Sequence, residues 1–471
     1  MGNHERGLIA SKFGGDSVAN AGGFRMAADI MFVDPISITT GEQLYRQSVI
    51  LSAPGKDGNS DKITNLLRDT FDIFTKASEF ERRNKVHRKV FDQIDRRFTQ
   101  IGLDLGCPLV PDLLNVVLEG IEGGRSRQWT MSRGEWVSAQ IFAYFIGGKF
   151  YDAVDLIKTK NNGEISPVSY EIIRSALTSN VKNVIPGYYA EDEDGNVVTF
   201  ERGGSDVSLS IVGRGIDARL IEIWKKLNGM RATDPILVED AKFISNITYD
   251  EAREIGIGGA EVVNKDTVGP IYRQGIPLDV KSSFAGKGIN PLDPNYHGTM
   301  VTKTRVVDPT ERVLGIAGKK GYLAVDIRKF GINDEYGVGA RILEIFRKHK
   351  ISYEYDPTQK DSLSIMLSGK YNGTLDETLN EIQSEIDPDR LDVTGNLGAV
   401  CVVGEGIKDN SMEVEARATA ALARAGIKKA ALNYPFGGIS MTFGIEEYQV
   451  DNAIRTLCNE FSLRDLSIKK K

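Results

Sequence analysis

The sequence predicts an α/β protein: an α/β/α sandwich over residues 1–310, followed by two small mixed modules at residues 311–390 and 391–471. Three observations carry this expectation. Short apolar runs alternate with amphipathic helical stretches through the first 310 residues, as in a mostly parallel sheet covered by helices. A glycine- and proline-rich connection, Gly286-Lys287-Gly288-Ile289-Asn290-Pro291-Leu292-Asp293-Pro294, lies near a boundary. Beyond it a strand–helix–strand–strand–helix order occurs twice. At 471 residues the chain is also too long for a single core.

The elements follow in order. Leu8–Phe13 and Ser48–Ser52 are apolar runs ending in glycine or proline signals, and read as buried strands. Between them Gly22–Asp34 has helical spacing and stops at Pro35. Asp61–Leu103 is rich in charge, with Ile63, Leu66, Leu67, Phe71 and Phe74 at helical spacing. This helical layer continues through Pro111–Ile121 and Ser132–Phe145. Strands return near Val184–Tyr189, and Asp194-Gly195 within an acidic turn favours a hairpin. In the tail, Tyr322–Ile327, Ile351–Tyr355 and Leu363–Ser368 read as strands, and Tyr336–Lys350 and Leu375–Ile386 as helices. The order recurs in Ala399–Val403 (strand), Met412–Ala425 (helix), Lys428–Asn433 and Ile439–Gly444 (strands) and Glu447–Phe461 (helix).

Composition narrows the function. A net charge of −6 gives no basic surplus for a nucleic-acid backbone, so no nucleic-acid partner is expected. The basic run Glu81-Arg82-Arg83-Asn84-Lys85 sits on a helical pattern and reads as a solvated face. Cys107, Cys401 and Cys458 are far apart and odd in number, which fits a reducing compartment and no disulfide framework. Four histidines without metal-type spacing argue against a transition-metal enzyme. No apolar run approaches the ~20 residues of a membrane span, and Gly7–Phe13 is too short for a signal-peptide core. Arg6 stands where myristoylation wants Ser or Thr. A cytoplasmic protein with no membrane partner is expected.

Two segments carry chemistry. In Lys12-Phe13-Gly14-Gly15-Asp16-Ser17-Val18, two glycines at a strand end let backbone N–H groups approach a phosphate, with the Lys12 ammonium above it. A plain strand-to-helix turn with a surface lysine fits the same residues. In Thr199-Phe200-Glu201-Arg202-Gly203-Gly204-Ser205-Asp206, an arginine fork for a carboxylate precedes exposed amides at a helix start. Here too Ser205 or Asp206 as a simple helix cap fits. Gly213-Arg214-Gly215-Ile216-Asp217-Ala218 matches a dinucleotide fingerprint but follows a helix pattern, and reads as a helix end.

Together with Ser52-Ala53-Pro54-Gly55, Thr64-Asn65-Leu66-Leu67, Ser132-Arg133-Gly134-Glu135 and Pro186-Gly187-Tyr188-Tyr189, these segments resemble the aspartate kinases in order and spacing. Ala232-Thr233-Asp234-Pro235, Tyr249-Asp250-Glu251-Ala252 and Gly275-Ile276-Pro277 continue the likeness over nearly the whole chain. The resemblance implies an amino-acid kinase fold followed by two βαββαβ ACT-type domains, usually interleaved, in a homodimer or higher homo-oligomer. It implies Mg²⁺- and ATP-dependent phosphorylation of the side-chain carboxylate of L-aspartate, feedback-regulated by an amino acid. Lys12 and Asp206 become the catalytic pair. Thr64, Glu135, Arg202, Gly203, Gly204 and Ser205 surround the acceptor, and Gly14, Gly15, Ser17, Ser52, Lys225, Lys226 and Met230 the nucleotide. Asn333, Tyr336, Gly337 and Val338 take the effector, and no residue is assigned to a metal. Arg202 can fork an α-carboxylate and Glu135 can pair an α-ammonium. The attacking carboxylate, with an ordinary pKa of ~3.9, is already ionised and needs no base. Asp206 then orients Lys12.

The departures cluster on the nucleotide side. Asp16 replaces the family's Thr or Ser, and Lys225-Lys226-Leu227-Asn228-Gly229-Met230-Arg231 replaces Thr-Asp-Val-x-Gly-[Val/Ile]-Tyr. Ile236 stands for an arginine and Glu261 for a phosphate-facing lysine. Three readings are open: Lys225 or Lys226 restores the charge; the donor or acceptor has changed; or the chain senses amino acids without efficient transfer.

Overall fold

Two units make up the chain: Met1–Met230 with Ser245–Tyr249 and Val263–Arg305, and Arg231–Ile244 with Asp250–Val262 and Val306–Lys471. The computed structural model describes residues 7–37, 40–78, 85–177, 181–201, 203–257, 265–286, 288–332, 334–368, 374–435 and 437–465. Residues 81–84 of the basic run, Arg202, Glu261 and Asn333 lie outside the described residues.

The strands of the first unit are β1 (Leu8–Phe13), β2 (Tyr45–Leu51), β3 (Lys149–Phe150), β4 (Asn183–Pro186), β5 (Tyr189–Glu191), β6 (Val197–Thr199) and β7 (Leu220–Lys225). Two short strands follow, β8 (Met230–Arg231) and β9 (Phe243–Ile244), and then β10 (Asn246–Thr248), β11 (Leu278–Ser282) and β12 (Thr299–Thr302). Eight of them form one sheet in the order β10-β12-β11-β7-β1-β2-β4-β3. Six run parallel, while β12 is antiparallel to β11 and parallel to β10. The chain leaves the central β1 towards β2 on one side and returns to it as β7 on the other. An open α/β sheet with such a reversal has its crevice beyond the carboxyl ends of the strands.

Helices α1 (Ala21–Phe32), α2 (Ile63–Lys76), α3 (Arg88–Leu105), α4 (Val110–Glu122) and α5 (Arg127–Ile146) join Phe13, Val49, Leu51 and Trp224 in one core. Asn20 caps α1 by accepting from Gly23 N, and Ser126 caps α5 by accepting from Trp129 N. After α6 (Ala153–Leu156) and α7 (Val168–Ala176), helix α8 (Gly204–Gly215) packs against β1 with Gly213 pressed on Ile221. Strand alternation therefore turns Ser11, Phe13, Glu222 and Trp224 towards the α1–α5 layer, and Ala10, Lys12 and Lys225 towards α8. The expected α/β/α layering is present. The fingerprint-like Gly213–Ala218 is a helix end, as read, and Asp194-Gly195 turns the β5–β6 hairpin with Gly195 at φ 79°.

Beneath α1, the face carrying Glu222 holds a buried ionic layer. Arg46 Nε and Nη2 donate to Glu222 at 2.7 and 2.8 Å, Lys281 Nζ at 2.9 Å and Ser11 Oγ at 2.7 Å. Lys281 also lies 3.2 Å from Asp279, which pairs with His297 Nδ1 at 2.8 Å. Burial opposes the charge on Glu222, but Arg46 and Lys281 hold its carboxyl far below the usual range.

Helices α9 (Tyr249–Ile257) and α10 (Lys265–Tyr272) precede the tail. The second unit contains β13 (Gly315–Arg328), α11 (Val338–Lys348), β14 (Thr358–Gln359), β15 (Ser362–Ser368), α12 (Leu375–Ile386), β16 (Arg390–Val403), α13 (Ile407–Arg424), β17 (Lys429–Asn433), β18 (Ser440–Glu446) and α14 (Val450–Glu460). Six strands form one sheet, β14-β15-β13-β16-β18-β17. Its centre is the antiparallel pair β13 and β16, joined from Gly315↔Val403 to Arg328↔Arg390. One end of the pair (Leu323, Val325, Ile327) shares a core with α11, β15 and α12. The other end (Ile316, Val400, Val402) shares one with α13, β18 and α14. That is the interleaving the resemblance implies. The strand expected at Ile351–Tyr355 does not form. Lys350 is left-handed at φ 55°, Tyr355 makes only an isolated bridge to Met366, and Pro357, which has no N–H to donate, delays β14 to Thr358. No helix among the described residues is long and apolar enough to cross a membrane.

Candidate active site

Lys12 ends β1 on the α8 side, and α8 begins there. Its Nζ lies 2.7 Å from Asp206 Oδ1 in the first turn of α8, and Lys225 Nζ, at the end of β7, lies 3.5 Å from Asp206 Oδ2. Burial alone raises the pKa of Asp206; Lys12 and then Lys225 outweigh it and hold the carboxyl below its ordinary value. One ionised carboxylate thus fixes two ammonium groups at the carboxyl ends of adjacent strands. Lys226 is exposed, beyond the strand end, and only its backbone is engaged, accepting from Ser282 Oγ at 3.2 Å. Of the two lysines, Lys225 joins the cluster.

The glycine turn lies beside it. Gly14 N donates to Trp224 O at 3.0 Å, and Gly55 N donates to Gly15 O at 2.8 Å. A Cβ on Gly15 would stand 2.8 Å from Ala53 O, so the two backbones pass where no side chain fits. Asp16 is exposed on this turn, in the first turn of the short 3-10 helix Gly15–Val18, whose cap is Gly14. Ser17 is buried: its Oγ donates to Trp224 O at 3.2 Å and accepts from Ser283 Oγ at 2.7 Å. Met230 is also buried, its N–H bound to Thr299 Oγ1 at 2.7 Å.

Of the residues that the resemblance places around the acceptor, Ser205 adjoins Asp206 in the first turn of α8. Ser52 Oγ donates to Ser205 Oγ at 3.1 Å. Gly203 takes a left-handed φ of 79° immediately before α8, and Gly204 and Ser205 form its first turn. Thr64 is half-buried in the first turn of α2, whose Ile63 packs on Gly134. Glu135, on the interior helix α5, is buried, and among the described residues its Oε2 has no hydrogen-bond partner. Burial pushes its carboxyl up to about 8, against the opposing pull of the Ala53 N–H, Lys12 and Arg133.

Several contributors were not singled out from the sequence. Tyr188 has a left-handed φ of 84°, held by its N–H to Ser208 Oγ at 3.0 Å and its carbonyl to Phe200 N at 2.9 Å. Its ring lies against Gly204, where a Cβ would meet Cδ2 at 2.7 Å. In the sequence it stands in the family-like segment Pro186-Gly187-Tyr188-Tyr189, without a role assigned to it. Ser283 and Trp224 hold the turn at Ser17, and no spacing rule links them to it. In the second unit, Tyr336 is fully exposed, Gly337 is left-handed at φ 79° and Val338 is buried at the start of α11.

Among the described residues no group of three His, Cys, Asp or Glu side chains could hold a metal. Asp206 is engaged by its two lysines, which leaves the exposed Asp16 as the carboxylate on the glycine turn. This donor set fits a magnesium ion carried mainly by phosphate oxygens and water, not an all-protein cage.

The chain is similar to known proteins over nearly its whole length. The profile of the amino acid kinase family matches residues 7–282. Aspartokinase 3 of Bacillus subtilis is 28% identical over 96% of this chain and 98% of its own length. Lysine-sensitive aspartokinase 3 of Escherichia coli is 24% identical over 84% of this chain and 87% of its own. The crystal structure of Clostridium acetobutylicum aspartate kinase, described as an allosteric enzyme, superposes with a TM-score of 0.79 at 30% identity, covering 97% of this chain and 100% of that one.

Proposed function

The chain belongs to the amino acid kinase family, and we propose that it is an aspartate kinase, converting L-aspartate and ATP to 4-phospho-aspartate and ADP. The observation that carries this reading is the pairing of two sites: Lys12 and Lys225 clamped on Asp206 beside a glycine turn, and a buried Glu135 with an open carboxylate oxygen. Relatives that span the whole chain are aspartokinases.

In this reading the α-ammonium of aspartate docks on Glu135, and Arg202 forks its α-carboxylate. Thr64, Ser205 and the Gly203–Gly204 amides orient the side-chain carboxylate. One of its oxygens attacks the γ-phosphorus, the bond from that phosphorus to the bridging oxygen of ADP breaks, and no proton moves. Lys12, Lys225 and the Gly15 backbone at the turn hold and neutralise the phosphates, the Gly14 N–H being already bound to Trp224 O, while Gly14, Ser17, Ser52, Lys226 and Met230 shape the nucleotide side. A magnesium ion riding on the phosphates, with Asp16 at hand, would add further charge neutralisation.

The same proposal assigns residues 1–310 to catalysis and residues 311–390 and 391–471 to two regulatory modules. An amino-acid effector is assigned to Asn333, Tyr336, Gly337 and Val338. The left-handed Gly337 before α11 supports this by turning backbone amides outward. A homodimer or larger assembly in the cytoplasm completes the reading, which the three free, buried cysteines suit.

Trapping the acyl phosphate with hydroxylamine across a panel of amino acids tests the activity. Hydroxamate with aspartate supports it. Product only with another carboxylate moves the acceptor, and amino-acid binding without product would make the chain a sensor. Lysine and threonine titrations test the effector, and light scattering the assembly.

A further inference from the structure

We propose that Tyr296 is a positioning residue for the donor nucleotide, acting through Asn228; this rests on ATP being the donor. The stretch Lys225–Met230 departs from the family pattern where it would line the nucleotide. Tyr296 Oη donates to Asn228 Oδ1 at 2.6 Å and accepts from Ser282 N at 3.0 Å. Two residues on, Met230 N donates to Thr299 Oγ1 at 2.7 Å. A single segment, Tyr296–Thr299, therefore grips the 225–230 loop at two points.

The grip is itself anchored. His297 Nδ1 pairs with Asp279 Oδ2 at 2.8 Å, and Gly298 N donates to Asp279 Oδ1 at 3.0 Å. A Cβ on Gly298 would collide with the Val280 carbonyl, so the segment lies directly on β11. The Tyr296 ring packs 6.1 Å from Trp224, the residue whose carbonyl receives Gly14 N, and Lys281 Nζ sits 5.8 Å above it. Tyr296 is therefore joined both to the loop after β7 and, through Trp224, to the glycine turn. The phenol is held neutral, since burial pushes its pKa up to about 12, and it remains a donor to Asn228 at working pH.

Losing one such hydrogen bond corresponds to roughly a three- to tenfold change in an equilibrium constant. The test compares Tyr296→Phe, Asn228→Ala and the double variant in the full chain. Hydroxamate kinetics give kcat and both KM values, and ADP titration followed by tryptophan fluorescence gives a Kd without turnover. Each single change should raise the KM for ATP and the Kd for ADP by roughly three- to tenfold. The kcat and the KM for aspartate should stay within about twofold, and the double variant should be no worse than either single. An unchanged ADP Kd in Tyr296→Phe overturns the proposal, as do fully additive effects or a parallel rise in both KM values with a lowered melting temperature. If the parent chain phosphorylates no acceptor, the kinase reading falls, yet the ADP titration still decides the role of Tyr296. If it does not bind ADP, this inference falls too.

Discussion

Glu135 enters the site with its carboxyl raised to about 8 by burial. Between the usual carboxylate pKa and that value the folded chain holds a proton that the unfolded chain has released. Stability therefore declines as pH rises through this window and levels off above about 8. An ammonium needs the ionised form, so acceptor binding near pH 7 should release a proton. The KM for aspartate is expected to fall between pH 7 and 9, measured by hydroxamate formation in buffers of differing ionisation heat. Glu135→Gln should abolish that pH dependence and raise the aspartate KM by ~100-fold or more, in line with a lost charged hydrogen bond. It should also melt higher than the parent at pH 9. At the opposite pole, Asp206→Asn leaves Lys12 and Lys225 facing each other without their common anion. The expected result is a kcat lowered by roughly two orders of magnitude, with the aspartate KM changed much less. Lys12 and Asp206 were legible in the sequence because each lies in a motif of fixed order. The choice of Lys225 over Lys226 was not, since it depends on where β7 ends and which face its last residue takes.

At the level of elements, the strands nearest the site were the easiest to read. β1 and β2 are buried on both faces, and their apolar stretches Leu8-Ile9-Ala10 and Val49-Ile50-Leu51 mark them, while the polar Arg46 and Gln47 hide the start of β2. The turn between β1 and α1 was legible as a pair of glycines, but not the reason Gly15 is required. That reason is the crossing with Ala53 and Gly55, residues about forty positions away. Gly15→Ala should therefore remove measurable kinase activity, and circular dichroism should show secondary structure unchanged. Wild-type-like turnover would show that the crossing can relax. Ionic pairing across strands was invisible, because Arg46, Glu222 and Lys281 meet only once the sheet is assembled. Their layer makes a separate expectation: Glu222→Ala leaves the buried Arg46 without a carboxylate and Lys281 with Asp279 alone, and should cost roughly 3–5 kcal/mol in urea unfolding. The failed strand at Ile351–Tyr355 belongs at this scale as well. Its alternation suits a strand, but a left-handed Lys350 and Pro357 bracket it, and local geometry outweighed pattern.

At the scale of the whole chain, sequence order and packing order part company. The glycine- and proline-rich connection before residue 310 is a real change of texture. Even so, Arg231–Ile244 and Asp250–Val262 pack with the tail. Ala232, Val238 and Ala241 belong to the core built by Ile316, Leu457 and Cys458. Ile316 N donates to Ala232 O at 2.7 Å, and Lys242 N donates to Leu463 O at 2.9 Å. Further along, Glu251 accepts from Glu405 N at 2.7 Å, and Glu254 accepts from Ser440 Oγ at 2.8 Å. Such long-range insertion leaves no mark on periodicity, because each short piece looks like an ordinary loop or helix of its neighbourhood. Its physical consequence can be measured. A fragment ending at residue 310 keeps the apolar side chains of 232–241 and loses the partners that residues 313–463 give them in that core. Each buried Val or larger side chain so exposed forfeits roughly 1.5–3 kcal/mol, and the freed backbone groups add unmet hydrogen bonds. The fragment should elute as soluble aggregate and melt without a sharp transition. Replacing Val238 by Asp within it should recover monomer on a sizing column without restoring the transition. A 1–310 fragment that is monomeric and melts as sharply as the full chain would mean that 231–262 can find another partner.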